Sequence, residues 1–428
     1  MSSSSNPKTK TNNNKATIAV PTRGIQVVEG YSPCFAAGLQ VLCFLLTPIR
    51  KALVHFYLTC RNQPLEQQHP AEWKVLSVLG KLFQELMLPQ NSKNPNSCEP
   101  VDPTEFYQIM KPLLRIQTPP KDATQALQLL LELLQTCVTT IPVTRQLWNA
   151  LLDMAGLGLI AKQATIGKII QPTQEKGSEN TMLQRTKRDT CIMYCPFPLI
   201  GKFDTLAGGL ENTVKQQNID HDWDAKPSDY DFEVKIPLLT RGSTTGENSW
   251  TTTKTLQFST LPAFLFLGVN RFDAEGELVN PAIDIPNELD VTKYCAPGIA
   301  KGNMAKYALV GGILYDEEDY VAILKNPNFN STSEEENGDQ DEEIENWNLL
   351  ETEEVIPMTE TDVMEFLKGE EGGVCGTVLV YSTVHEPSHI EMNQLLSDII
   401  ISHVSGKLDS KVDFYYEEEW IEEEIIED

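Results

Sequence analysis

Two periodicities divide the chain. From Cys34 to about Ile160 the apolar residues recur every three or four positions, the spacing of helices with one buried face. The first segment runs through Cys34–Leu53, and Pro48 is expected to kink or divide it. The second is Glu72–Leu88, with Trp73, Leu76, Leu79, Leu82, Phe83 and Leu86 on one side. A short helix is expected after Asp102-Pro103, carrying Phe106, Ile109 and Met110. Lys121–Val138 and Gln146–Ile160 complete the helical half. The stretches Gln90–Pro100 and around Pro119-Pro120 read as loops, and 163–190 as mixed and partly loop. From Cys191 onward the pattern changes to short runs of strand type. These include the alternating Tyr230–Pro237, the apolar Leu261–Phe272, Tyr307–Tyr315 with its continuation to Leu324, and Gly376–Tyr381. Helices followed by strands imply an α+β fold, with a helical lobe over about 34–160 and a β lobe over about 191–381.

Composition changes this picture mainly at the ends and at one insertion. Residues 1–20 are rich in Ser and Asn and read as a disordered tail. Ser331–Asn346 carries eight acidic residues and no basic one, and reads as an acidic, disordered insertion. Asp413–Asp428 carries nine acidic residues. Residues 385–428 are therefore expected to hold one amphipathic helix, Ile390–Val404, and an acidic tail. The two acidic runs account for 17 of the net charge of −27, so the body of the chain is only mildly acidic. Nucleic acid is not an expected partner, because phosphate contacts need clustered Lys and Arg. No apolar run reaches transmembrane length free of charge or proline, so no membrane partner is expected. Nine scattered cysteines fit reduced thiols in the cytoplasm or nucleus better than a disulfide framework.

The candidate chemistry centres on Cys34, at the start of the first helix. A thiol at a helix N-terminus feels the positive end of the dipole, which favours the thiolate. A buried cysteine capping a core helix is the other reading of the same position. Cys191 and Cys195 have three residues between them, the wrong spacing for a zinc knuckle, and no cysteine lies between Cys195 and Cys295.

The run Gly24…Gly30-x-x-x-Cys34-Phe35…Leu39-Gln40-x-Leu42…Pro48-Ile49-Arg50-Lys51-x-Leu53 resembles the cysteine box of the ubiquitin-specific proteases. Asp122-Ala123…Leu127…Leu130-Leu131 is similar to the next helical block of that family. Leu261-Pro262…Arg271-Phe272 and Ile285-Pro286-x-x-Leu289-Asp290-Val291-x-x-Tyr294 follow in order. So do Tyr307–Tyr315, Asp319-Tyr320-Val321-Ala322, Trp347–Val355 and Gly376–Tyr381. The resemblance covers Gly24 to Tyr381. It implies a papain-like fold with thumb, palm and reduced, zinc-free fingers, in one domain of about 21–384. It implies ubiquitin or a ubiquitin-like protein as partner, and no cofactor.

The resemblance also assigns the catalytic positions, and this chain departs from the family at each. With Leu39-Gln40 laid on the family's Leu-Gln, Pro33 falls on the nucleophile and Cys34 comes one residue late; with Cys34 laid on the nucleophile, the following helix is one residue short. Val28 or Glu29 stands where the family has its oxyanion asparagine. Asp319 holds the position of the histidine base, and Glu351 or Thr352 that of the third triad residue. Asp319 and Cys34 are expected to face each other. An anion beside the thiol would raise its pKa, and an ionised carboxylate has no proton for a leaving amine. The expectation is a pseudoenzyme that binds ubiquitin, a ubiquitin-like protein or another partner without cleaving it. The alternative is an active deubiquitinating thiol hydrolase using Cys34 with a displaced base, His385 or His389.

Overall fold

The computed structural model describes residues 23–60, 71–88, 99–114, 120, 122–140, 151–168, 182–194, 196–199, 201–214, 217–221, 249–272, 279–300, 305–316, 319–326, 345–352, 354–369 and 373–383. Side chains are described in these ranges except at 48, 59–60, 140, 161–168, 182–194, 217–221, 249–254 and 345. The expected segments 1–20, Tyr230–Pro237 and Ile390–Val404, the acidic tail, His385 and His389 lie outside them.

Five helices come first. Helix α1 spans Pro33–Leu45, with proline in its first turn and Ser32 as N-cap. Every residue from Cys34 to Phe44 is buried. A helix that is apolar all round must be covered all round, and α1 is enclosed by two helices and two strands. Helix α2, Thr47–Cys60, turns away by 97°. The turn falls at Pro48, as expected. Pro48 sits in the first turn of α2, where its missing N–H removes no helical bond. Arg50 folds back and donates from Nη1 to the Cys43 carbonyl at 2.8 Å, satisfying the end of α1. Helix α3, Ala71–Met87, packs against α2 through Gly80. A Cβ there would sit 2.1 Å from the Leu53 carbonyl oxygen, so only glycine allows the approach. Helices α4, Thr104–Leu113, and α5, Ala123–Thr140, follow. Asp122 caps α5 by accepting from the Gln125 N–H at 2.7 Å.

The helical half ends earlier than the pattern suggests. Residues 151–155 are helical, but Gly156–Lys168 is strand β1 and Met182–Tyr194 is strand β2. This corrects the expected helix to Ile160, the mixed stretch 163–190, and the start of the β half at 191. Leu157 and Leu159 fit period two as well as a helical face, so the sequence was ambiguous. Gly158 breaks the tie. Its amide donates to Thr260 Oγ1 at 2.7 Å, and a Cβ there would collide with that oxygen. A four-stranded antiparallel sheet has the order β2-β1-β5-β4, with β4 Gln217–His221 and β5 Ser249–Phe258. This sheet stands where reduced fingers were expected, and its two longest strands run thirteen residues each.

The second sheet has the order β11-β10-β9-β8-β12-β6-β3. Its strands are β3 Phe197–Leu199, β6 Phe264–Val269, β8 Lys306–Asp316, β9 Asp319–Lys325, β10 Glu345–Leu350, β11 Val355–Thr359 and β12 Val374–Thr383. Strand β7, Glu288–Asp290, pairs with β8. Leu261–Phe272 therefore holds a buried strand, as expected. Strand β10 begins at Glu345, so the last two residues of the expected acidic insertion belong to the sheet. The rest of that insertion, to Ile344, lies outside the described residues. Helix α6, Leu206–Val214, packs on β3, and helix α7, Glu360–Lys368, on β12. Helix α1 lies against β9 and β8 on one side and α5 on the other, so its N-terminus meets the β8–β9 end of the sheet.

Candidate functional site

At that meeting point lies a cavity of about 720 Å³. Ala36 and Gln40 of α1 form one wall, and Asp319 and Tyr320 of β9 another. Glu351 and Thr352, the residues just after β10, close it together with Ile25 and Val27 of the N-terminal segment. That segment is pinned on both sides. Gln26 donates to Val101 and Val101 donates to Gly24, at 2.9 and 3.0 Å. A Cβ on Gly24 would lie 2.0 Å from the Glu351 carbonyl oxygen, so glycine is what lets the chain cross the 351–352 loop directly.

The structure brings three of the four anticipated residues, Asp319, Glu351 and Thr352, to this cavity. Cys34 is not on its lining. It is 1% exposed. Its backbone N–H donates to Ser32 Oγ at 3.4 Å. Its sulfur is met by the phenol of Tyr320, and the carboxylate of Asp122 is the nearby charge. The expectation that Cys34 faces Asp319 is therefore corrected: Tyr320, the next residue on the strand, stands at the thiol. Successive strand residues point to opposite faces, so one position changes the partner. The Asp319 carboxylate instead accepts from the Tyr320 N–H at 2.7 Å.

Helical phase explains why Cys34 is left out. With 3.6 residues per turn, positions 33, 36 and 40 share a face and position 34 is turned about 100° from it. Ala36 and Gln40 line the cavity, so the residue of the first turn in phase with them is Pro33. On the cavity's side of α1, the first turn therefore presents Pro33 rather than Cys34. Burial, against the opposing contact with Ser32, pushes the Cys34 thiol up to about 11, and Asp122 pushes in the same direction. The helix N-terminus does not make this thiol an anion at neutral pH.

The cavity is acidic. Asp316 and Asp319 are paired across the β8–β9 turn. Glu351 and Glu354 lie opposite, with the Glu351 N–H donating to the Glu354 carbonyl at 3.0 Å. Burial raises the pKa of Glu351, and Glu354, Asp316 and Asp319 raise it further. No Lys, Arg or His is among the lining residues. Gln40, 3% exposed, is the buried amide on its lining. Among the described residues, no group of three or more His, Cys, Asp or Glu is placed to hold a metal ion. At the oxyanion position, Glu29 is exposed and Val28 packs on the core, and neither lines the cavity. Such a site offers hydrogen-bond acceptors and negative charge. It presents no thiolate, no imidazole and no positioned oxyanion donor among these residues.

Sequence reasoning passed over Tyr320, Gln40, Asp316, Glu354 and Asp122 as site residues. The signal for Gln40 was present, because it lies seven positions after Pro33 and so two turns along the same face. The tyrosine and the extra carboxylates required knowledge of strand facing and loop closure.

The fold and the comparison with known sequences agree. No curated protein matches the chain. The family model described as ubiquitin carboxyl-terminal hydrolase matches residues 30–381, which contain α1, both sheets up to Tyr381 of β12, and every residue of the cavity except Ile25 and Val27. With its papain-like, ubiquitin-specific-protease fold, the chain belongs to the ubiquitin carboxyl-terminal hydrolase family.

Proposed function

We propose that this protein is a pseudoenzyme of its family, which binds ubiquitin, a ubiquitin-like protein or another protein partner and does not cleave it. The observation that carries the reading is the exclusion of Cys34 from the cavity, behind Tyr320, with a carboxylate at the base position. A thiol peptidase needs thiolate, proton carrier and oxyanion donors at one point, and loss of any one costs orders of magnitude in rate. Here Pro33, Asp319, and Glu351 with Thr352 occupy the three triad positions. The scattered thiols and the acidic surface support a place in the cytoplasm or nucleus.

The test uses the full chain with ubiquitin carrying a thiol-reactive warhead at its C-terminus, and a separate titration with unmodified ubiquitin. The expected result is no covalent adduct by mass spectrometry, whether or not ubiquitin binds. An adduct on Cys34 that is lost in Cys34→Ala, together with turnover of a fluorogenic ubiquitin substrate, would overturn the reading. His385→Ala and His389→Ala would then identify a displaced base.

A further inference from the structure

We infer that strand β2, at the edge of the four-stranded sheet, is the docking site of this chain's own acidic C-terminal segment, Asp413–Asp428. The edge itself is the first observation. Among the described residues β2 pairs with β1 alone, so its outer row of N–H and C=O groups has no strand beside it. The other three sheet edges are short. β3 has three residues, and β4 and β11 have five each, with Pro198 in β3 and Pro357 in β11. Short strands and proline are common protections of an edge. β2 has neither: it runs thirteen residues without a proline, about 43 Å of unpaired edge.

Charge is the second observation and is independent of the first. The chain carries a net charge of −27. Yet the four strands of this sheet hold six basic residues, Lys162, Lys168, Arg185, Lys187, Arg188 and Lys254, against two acidic ones. Three of the six lie on β2. The register sets Arg188 directly opposite Lys162, a like-charge pair that costs stability and that an added anion relieves. Gln163 is opposite both Lys187 and Lys254, which puts those two cations in one row across the sheet.

An occupant of this edge must be anionic, able to extend, and within reach. The C-terminal segment meets each condition. Its sixteen residues carry nine acids and no base. By period two, Arg185 and Lys187 fall on one face of β2 and Arg188 on the other. The acids of the segment likewise fall at both odd and even positions, as Glu417 and Glu418 show. Seven of its residues are aromatic or β-branched, the types that strands favour, against two in the other acidic run, Ser331–Ile344. Residues 384–412 link it to the end of β12, a length that spans up to about 100 Å. The tether also holds it at high effective concentration, whereas the charge of the whole chain repels a free polyanion. Docking at β2 does not depend on whether the fold holds ubiquitin.

The test is hydrogen exchange of the full chain, read by mass spectrometry on peptides from 182–194 and 413–428, at low and at high salt. At low salt both segments are expected to exchange about tenfold or more slower than free peptides of the same sequence. High salt is expected to remove the protection of 413–428. Reversing the edge, Arg185→Glu with Lys187→Glu and Arg188→Glu, is expected to release 413–428. Reversing the segment, Glu417→Lys with Glu418→Lys and Glu419→Lys, is expected to do the same. It leaves the sheet's own residues untouched, so it decides even where the first variant fails to fold. Exchange of 413–428 at the free-peptide rate in the natural chain, or protection that survives reversal of the segment, overturns the inference. Protection that falls on dilution of the protein places the segment on a second copy and overturns docking within one chain.

Discussion

Cys34 shows how one residue's position on a helix sets its chemistry. At the N-terminus of α1 it has the dipole in its favour, yet burial outweighs the dipole and the thiol titrates near 11. The group's pKa is raised from 9.0 in the folded state. The unfolded chain therefore releases this proton first as pH rises. The stability that the neutral thiol contributes is present below pH 9 and is lost through pH 11. At pH 10 the loss is on the order of 1 kcal/mol from Cys34. Urea midpoints measured at pH 8 and pH 10 are expected to differ less in Cys34→Ala than in the natural chain. An equal drop in both would show that Cys34 does not carry this linkage. The other described cysteines are also free, and Cys43 and Cys137 are raised to about 12 by burial, so a residual drop is expected in the variant.

At the scale of elements, Arg271 is the joint of the β half. It is 1% exposed and pairs with backbone carbonyls rather than with a carboxylate. Its Nε donates to Gly376 of β12 at 2.8 Å, and Nη2 to Leu367 at the end of α7 at 2.6 Å. Nη1 donates to Asn280 at 2.8 Å and, at longer range, to Pro281 and Lys368. One side chain thus ties α7, β12 and the 280–281 loop together through their carbonyls. Arg271→Met leaves several buried acceptors unpaired. It is expected to cost about 3 kcal/mol or more, read as a fall in the urea midpoint. A loss below about 1 kcal/mol would mean that water replaces the guanidinium. Helix α7 itself went unpredicted from the sequence, although its signals are plain in hindsight. Thr359 accepts from the Asp362 N–H at 3.2 Å as N-cap, and Gly369, with φ 84°, closes the helix in the left-handed conformation.

At the scale of the whole molecule, charge is the main variable. The acidic run precedes β10, whose first residues lie beside Lys325, at the opposite end of β9 from Asp319, because the two strands pair antiparallel. Deleting Ser331–Ile344 removes seven acidic residues and spares Glu345 and Asn346, which β10 needs. The association rate with a basic peptide is expected to fall and to become less dependent on salt, as stopped-flow measurements at low and physiological salt would show. An unchanged rate and an unchanged salt slope would rule out steering by this segment.

How much was legible in the sequence follows from which forces are local. Helices α1 to α5 were readable because their apolar residues recur at 3.6, and Pro48 marked the turn between α1 and α2. The strands β6, β8, β9 and β12 were readable as apolar runs within motifs. Gln146–Ile160 was misread because Leu157 and Leu159 satisfy both periods, and only the close approach of Gly158 to Thr260 decides for a strand. The positions of Asp319, Glu351 and Thr352 were legible from motif order, and the cavity does gather them. Which residue meets the thiol was not legible. That depends on the phase of α1 and the facing of β9, where a shift of one residue turns a helical side chain by about 100° and a strand side chain to the other face. The sequence by itself determined the family and helices α1 to α5. The tertiary structure alone decided that Cys34 is buried behind Tyr320, that Pro33 shares the cavity face with Ala36 and Gln40, and that four carboxylates separated by up to 38 positions in the chain line one cavity.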